Sequence, residues 1–229
     1  MESNPNPRVT ILTQITGNRI NFINLMITNI LSQDYPHNLL EWIVVGDEHE
    51  STQKCFIEAF HLLGDIRCQY VESSIKSIGT KRNFASSLVR AKLMANLDDD
   101  DIYNKGYISE SVKQLRTRSV NMVKCSDMLI FFPHKNCKMT MIRGSMVHEA
   151  TIVCKKSHWK TNKYRDSVQH GEGSTMATGS YFNEMDIRKV MVCVSHDSNT
   201  CDKTRFLDAT EVSLNESLRE SLRSYWNHT

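Results

Sequence analysis

Proline is scarce, with four in 229 residues, and no proline- or glycine-rich stretch divides the chain. A linker between independent domains has no trace in the composition. No apolar run approaches the ~20 residues that span a bilayer. The opening MESNPNPRVT lacks the basic-then-apolar pattern of a secretory signal. Lysines and arginines are scattered and the net charge is only +2, so neither a polybasic membrane patch nor a nucleic-acid partner is indicated. Cysteine is present seven times, at 55, 68, 125, 137, 154, 193 and 201, an odd set with no CxxC pair. Reduced, mostly buried thiols in a cytoplasmic protein are expected, rather than zinc or a disulfide framework. The sequons at Asn215 and Asn227 would matter only in a secretory compartment. Two phosphate-binding signatures are also missing, since no GxGxxG follows the first strand-like run and no GxxxxGK[ST] occurs.

What remains is 40% hydrophobic and 24% charged, an ordinary globular balance with enough length for one substantial core. RVTILT (8–13) is β-branched and apolar, as a buried strand requires. INFINLMITNIL (20–31) carries apolar residues at helical spacing and is stopped by QDYP, and EWIVVGD (41–47) is a second buried strand ending on an acid. Strand, helix, strand reads as a right-handed βαβ unit. The alternation predicts a helix over 52–63, a strand over 66–72, a helix over 79–91 and a short strand over 93–97. Beyond residue 101 a helix near 105–116 is followed by strand-like runs at 119–124, 127–132, 138–142 and 149–154, a cluster that predicts antiparallel additions to a parallel sheet. VMVCVS (190–195) leads into an amphipathic helix expected around 211–226. One domain is expected, with a nucleotide-type first half and a mixed second half.

The densest chemistry is LMANLDDDDIY (93–103), where an apolar segment runs into four consecutive aspartates. Neighbouring carboxylates repel by roughly 1 kcal/mol at about 4 Å in water, and by more near a protein surface. Ligands of open α/β sheets bind beyond the carboxyl ends of the strands, which is where Asp47 and Asp98–Asp101 fall. A hard divalent cation, Mg²⁺ or Mn²⁺, would relieve the repulsion and keep positions open for substrate phosphates. The plainer alternative is a solvated loop and helix N-terminus, where acids are mildly favoured. An EF-hand is excluded: counting from Asp98 or Asp99, no glycine falls at position six and no acid at position twelve.

RVTILTQITGNR, LSQDYP and EWIVVGDEHES occur in that order and resemble the opening of family 2 glycosyltransferases of the GT-A fold. GTKRNFASSLVRAKLMANLDDDD resembles that family's G-x-x-R-N, helix, and apolar strand entering its DxD motif. DDDDIY and the later HDSNT are most similar to a subset found in large DNA viruses, the chlorovirus type, which would place the protein in host cytoplasm. The similarity covers about residues 8–103 well and the remainder only at short motifs. TQITGNR departs from the usual PTYNR by one extra residue.

The resemblance implies an α/β GT-A fold over 1–229: a Rossmann-like nucleotide-binding half, mixed central sheet, and helices on both faces. About 8–103 would hold the nucleotide-sugar and about 104–229 the acceptor and catalytic groups. It further implies that the turn from Thr13 through Gln14 to Thr16, with Asp47, contacts the base and ribose of a uridine nucleotide. Lys81 and Arg82 would lie near the base or diphosphate. Asp98 would reach the ribose and Asp100 the metal, with Asp99 or Asp101 in support.

Transfer with inversion, which the family also implies, needs a base for the acceptor hydroxyl. KYRDSVQHGEGSTMATG (163–179) offers Glu172 between two glycines, with Asp166 as the alternate. A glycine-flanked loop whose acid merely caps a helix is the competing account of Glu172. His148 and His170 are read as surface or hydrogen-bonded residues. His196 directly follows a strand, and an imidazole suits Mn²⁺ better than Mg²⁺; the family often supplies one late histidine to the DxD metal. Trp159 and Tyr181 could line an acceptor groove. The expected protein is a hexosyltransferase-like enzyme of glycan biosynthesis that uses Mn²⁺ (or Mg²⁺) and a UDP-sugar, UDP-glucose first among them. Its acceptor would be a glycan or other hydroxyl. The alternatives are a sugar nucleotidyltransferase, for which TQITGNR is a poor phosphate loop, and a catalytically silent nucleotide- or sugar-binding domain.

Overall fold

The computed structural model describes residues 6–17, 19–117, 119–144, 147–178, 181–214, 216, 220, 222–223 and 226. Its first part alternates strictly: β1 (Val9–Gln14), α1 (Ile23–Leu31), β2 (Leu40–Gly46), α2 (Glu50–Phe60), β3 (Arg67–Glu72), α3 (Ile78–Leu88) and β4 (Leu93–Asn96). There follow β5 (Ile102–Tyr103), α4 (Tyr107–Leu115), β6 (Met122–Cys125), β7 (Met128–Phe132), β8 (Lys138–Ile142) and β9 (His148–Lys155). The chain continues through α5 (Lys156–Thr161), β10 (Phe182–Glu184), β11 (Met191–Val194) and β12 (Thr210–Glu211). Three-residue 3₁₀ turns extend α1 at its start and α2 at its end, matching the longer helices expected there.

Seven strands form the main sheet in the order β10-β6-β9-β4-β1-β2-β3. The β4-β1-β2-β3 block is parallel, and β9 enters antiparallel between β4 and β6. A second, five-stranded sheet runs β12-β8-β7-β11-β5. One mixed sheet was expected; the second exists because β7 and β8 pair as an antiparallel hairpin and recruit β11, β12 and the two-residue β5.

Strand alternation builds two apolar layers. Val9, Ile11, Trp42 and Val44 face one way, into the larger core shared with α1, α2 and α4. Leu12, Ile43, Val45 and Met94 face the other, against Ala85 and Val89 of the α3 region and Trp159 of α5. Helices therefore cover both faces of an α/β sheet, and the parallel strands read as near-continuous apolar runs because both their faces are buried. Trp42 is fully buried and packs edge-on against Phe56 and Phe60.

α3 begins one residue earlier than its glycine signalled, with Ser77 Oγ accepting from Thr80 N, and ends three residues short, at Leu88. Seven residues of the helix expected over 211–226, Asn215 among them, fall outside the described residues, as does Asn227. Glu216, Glu220, Leu222, Arg223 and Trp226 are helical, whereas Thr210–Glu211 pair with β8 instead. All seven cysteines are free thiols, four of them buried. Among the described residues no helix is long and apolar enough to cross a membrane.

Candidate active site

The carboxyl ends of β1, β2 and β4 open onto three ionic clusters. In the first, Asp47 follows β2 and accepts from Gly17 N at 3.0 Å and from Lys81 Nζ at 2.6 Å. Lys81 is fully buried and also donates to Ile15 O at 2.7 Å, so it ties the β1 turn to α3. Burial alone would raise the Asp47 pKa, but the Gly17 N–H and the Lys81 ammonium outweigh it and hold the carboxyl below its ordinary range.

Arg82 is the centre of the second cluster. Its Nε donates to Glu172 Oε1 at 2.8 Å, Nη1 to Gln14 Oε1 at 2.7 Å, and Nη2 to Asp98 Oδ1 at 2.9 Å. Burial disfavours its charge, yet Asp98 and Glu172 more than compensate and push its pKa up. Glu172 arrives there because the 165–172 loop packs onto the start of α3. Gly79 N donates to Val168 O, Arg165 N donates to Glu172 O, and a Cβ on Gly79 would collide with Arg165 O. Gly171 then takes a positive φ of 71° to start the turn that carries Glu172.

Arg19 organises the third. Its Nη1 donates to Asp99 Oδ1 at 2.7 Å and Asp100 Oδ2 at 2.9 Å, while Nη2 donates to Ser198 O at 2.6 Å. Asp100 Oδ2 also lies 3.0 Å from His196 Nε2 and accepts from Asn199 Nδ2 at 3.1 Å. Burial pushes the Asp100 pKa up, but Lys203, His196 and Arg19 outweigh it and hold the carboxyl well below the usual range. Asp101 turns inward instead, accepting from Val194 N at 2.9 Å and Lys203 Nζ at 3.3 Å.

The four aspartates are thus separated rather than gathered around one point. Asp98 pairs with Arg82, Asp99 and Asp100 share Arg19, and Asp101 belongs to Lys203. This corrects the expectation of a common cradle, with Asp99 or Asp101 in support. Among the described residues no group of three or more acidic, histidine or cysteine side chains could hold a metal ion.

Asp100 and His196 nevertheless fit one as a pair. His196 Nδ1 lies 3.0 Å from Ser198 Oγ, and Nε2 lies 2.8 Å from Asn199 Nδ2. Asp100 Oδ2 and His196 Nε2, 3.0 Å apart, would supply one oxygen and one imidazole nitrogen to the ion. Oxygen-plus-imidazole is a donor set suited to Mn²⁺, and substrate phosphates and water commonly complete such sites.

Other expected residues lie elsewhere. Thr13 is fully buried, donates to Leu97 O at 2.8 Å and accepts from Trp42 Nε1 at 2.9 Å, so its hydroxyl is committed to the core and cannot contact a nucleotide. Thr16 is half-buried in the turn beyond β1. Asp166 is exposed and accepts from Asn83 Nδ2 at 2.9 Å; among the described residues it makes no hydrogen bond or ion pair with Arg82 or the aspartate run. Trp159 packs in the second core layer with its Nε1 on Asn83, which removes it from any acceptor groove, whereas Tyr181 is 74% exposed. His148 is half-buried beside Cys193 Sγ, and burial lowers its pKa to about 4.

Arg19, Asn199, Lys203 and Glu149 were not singled out in the sequence. Arg19 had one usable signal, being the only cation in the turn after β1; Lys203 and Glu149 had none. Glu149 accepts from Gly173 N at 3.0 Å, beside Glu172, and burial and the Glu172 charge raise its pKa to about 7. A folded-state pKa above the ordinary 4.5 gives a contribution that is complete below pH 4.5 and is lost as pH rises through about 7. Glu149→Gln removes that dependence. The stability of wild type relative to the variant therefore falls by about 1–3 kcal/mol between pH 4.5 and 8, as denaturant unfolding across that range measures. A constant difference contradicts the assignment.

The open, mostly parallel sheet with helices on both faces, and acids at the carboxyl ends of its second and fourth strands, is that of a GT-A fold, as the family and the similar structures show. The chain belongs to glycosyl transferase family 2, whose model matches residues 15–182. Among solved structures it is similar to the mannosyltransferase PcManGT from Pyrobaculum calidifontis, in complex with GDP-Man and Mn²⁺. The two share 18% identity and a TM-score of 0.65, over 84% of this chain and 57% of that one. It is also similar to residues 1–349 of TarS from S. aureus in complex with UDP-GlcNAc, at 12% identity and a TM-score of 0.63, over 96% of this chain and 72% of that one. At such identities the likeness is one of fold. The chain spans little more than half the length of the mannosyltransferase. No curated protein matches it in sequence.

Proposed function

We propose that the chain is a metal-dependent glycosyltransferase that moves a sugar from a nucleotide-sugar donor to an acceptor hydroxyl, with inversion. The observation that carries this is the Arg82 hub, which joins Glu172 from the second half of the chain to Gln14 and Asp98 from the first. Family membership and the ligands named for the two similar structures, GDP-Man with Mn²⁺ and UDP-GlcNAc, support a nucleotide-sugar and a divalent cation. A UDP-sugar, UDP-glucose first, and a glycan acceptor rest on the motif resemblance. So do a single GT-A domain over 1–229 and a place in the subset of large DNA viruses.

Asp47, kept ionised by Gly17 N–H and Lys81, would accept from the base and ribose. Asp98 has the most open side chain of the aspartate run, 29% exposed, and so can also meet a ribose hydroxyl. Asp100 and His196 would hold the cation, Mn²⁺ or Mg²⁺. Bound there, it would supply Lewis-acid charge for the departing diphosphate. Glu172, oriented by Arg82, would take the acceptor proton as the hydroxyl oxygen bonds to the anomeric carbon and the bond to the diphosphate breaks.

Glu172→Gln keeps the Oε1 acceptor for Arg82 and removes the base together with its charge. Turnover is expected to fall by about 10²–10⁴-fold, with nucleotide affinity unchanged. An assay of UDP- and GDP-sugar turnover with a panel of sugar acceptors reads the first, and nucleotide titration the second. Full turnover in the variant would remove Glu172 from the mechanism.

A further inference from the structure

A second concavity lies at the opposite end of β4 from the aspartates. It is a cleft of about 430 Å³ between the start of β4, the C-terminal end of α4 and the start of α5. Leu93, Val112 and Leu115, each nearly fully buried, supply its apolar lining. Every ionisable residue that lines it is a cation: Lys92, Arg116, Lys155, Lys156 and Lys160. Five cations around one cleft are out of proportion in a chain with a net charge of only +2.

Three of these cations donate to neutral acceptors. Arg116 Nη2 donates to Asn6 Oδ1, Lys155 Nζ to Asn121 Oδ1, and Lys156 Nζ to Val89 O. Among the described residues no carboxylate lies within ion-pair reach of Lys92, Arg116, Lys156 or Lys160. Burial and the neighbouring Lys160 charge both lower the Lys156 pKa. The volume suits the body of a small ligand, and binding clefts are typically apolar with a few convergent polar groups.

We propose that this cleft binds an amphiphilic organic phosphate, its apolar chain against Leu93, Val112 and Leu115 and its phosphate among the lysines. Lysine is a point-charge binder of phosphate, and an apolar lining beneath a cationic rim matches a chain with an anionic end. The ligand is a single soluble molecule seated in the cleft rather than a membrane surface. The cleft lies at the other end of β4 from the nucleotide crevice, so it is a site apart from the donor's.

Isothermal titration of the full chain with octyl phosphate tests this, with inorganic phosphate, octyl glucoside and phosphatidic acid vesicles as the comparison arms. Saturable binding of octyl phosphate is expected with a dissociation constant below about 1 mM, with the other three clearly weaker. The double variant Lys92→Glu/Lys160→Glu changes two exposed side chains and should weaken binding by about tenfold or more, while its melting temperature stays near wild type. Equal binding of inorganic phosphate or octyl glucoside would overturn the proposal. So would binding confined to vesicles, octyl phosphate binding that the double variant leaves intact, or no binding at all.

Discussion

Arg82→Ala should lower the stability of the protein by about 3–5 kcal/mol, the cost of leaving buried ionic partners without their counter-charge. Arg82 is 4% exposed and its three nitrogens each serve a different residue. Removing the guanidinium strands Glu172, which is 3% exposed, and takes a partner from Asp98. Among the described residues the buried Gln14 Nε2 has no hydrogen-bond partner, so losing the bond to its Oε1 leaves the amide without either. Arg82→Lys restores the charge but not the three-way fork, since an ammonium cannot reproduce the planar donor geometry. It should recover part of the stability, while donor binding remains impaired because Asp98 and Glu172 are no longer held in register. Urea unfolding of the two variants beside wild type measures the first effect, and nucleotide titration the second. A loss under 1 kcal/mol in Arg82→Ala would mean that the hub is a solvated surface cluster.

Asp100→Ala should reduce sugar transfer by about a thousandfold, the rate equivalent of several kcal/mol of Lewis-acid stabilisation. Its residual rate should be indifferent to a chelator. The structural cost is smaller than at Arg82, because Arg19 retains Asp99 Oδ1 and Ser198 O after Asp100 is shortened. His196 retains Ser198 and Asn199, together with its stacking on Trp226. A loss of transfer in the folded variant, beyond what its lowered stability explains, separates a ligand from a scaffold residue. Transfer that stays chelator-sensitive in the variant would place the metal elsewhere.

Legibility followed the range of the interactions. β1, β2 and β4 announced themselves through continuous apolar runs, and α1 through its periodicity and the QDYP stop, because local pattern and burial agree there. The two-residue β5 and the placement of β9 between β4 and β6 depend on pairing partners far along the chain, and nothing local specifies either. In the site the same limit applied. DDDD was visible, but the partners that divide it are remote: Arg19 is 80 residues from Asp99 and Lys203 is 102 from Asp101. Repulsion within the run therefore looked like a demand for one cation, when three protein cations meet most of it. Thr13 was misplaced because a strand-end threonine looks the same whether its hydroxyl faces a ligand or, as here, the Trp42 indole. Glu172 stood out through its flanking glycines; the loop contact on Gly79 that delivers it to Arg82 had no sequence signature.

Thermal unfolding with UDP or GDP, each in Mn²⁺ or in chelator, tests the central claim of a metal-assisted nucleotide site most directly. A nucleotide at 100 times its dissociation constant stabilises its protein by about 2.7 kcal/mol. UDP should shift the midpoint upward in Mn²⁺, lose the shift in chelator, and lose it in Asp100→Ala. A shift of the same size in chelator, or none with either nucleotide, would contradict the account.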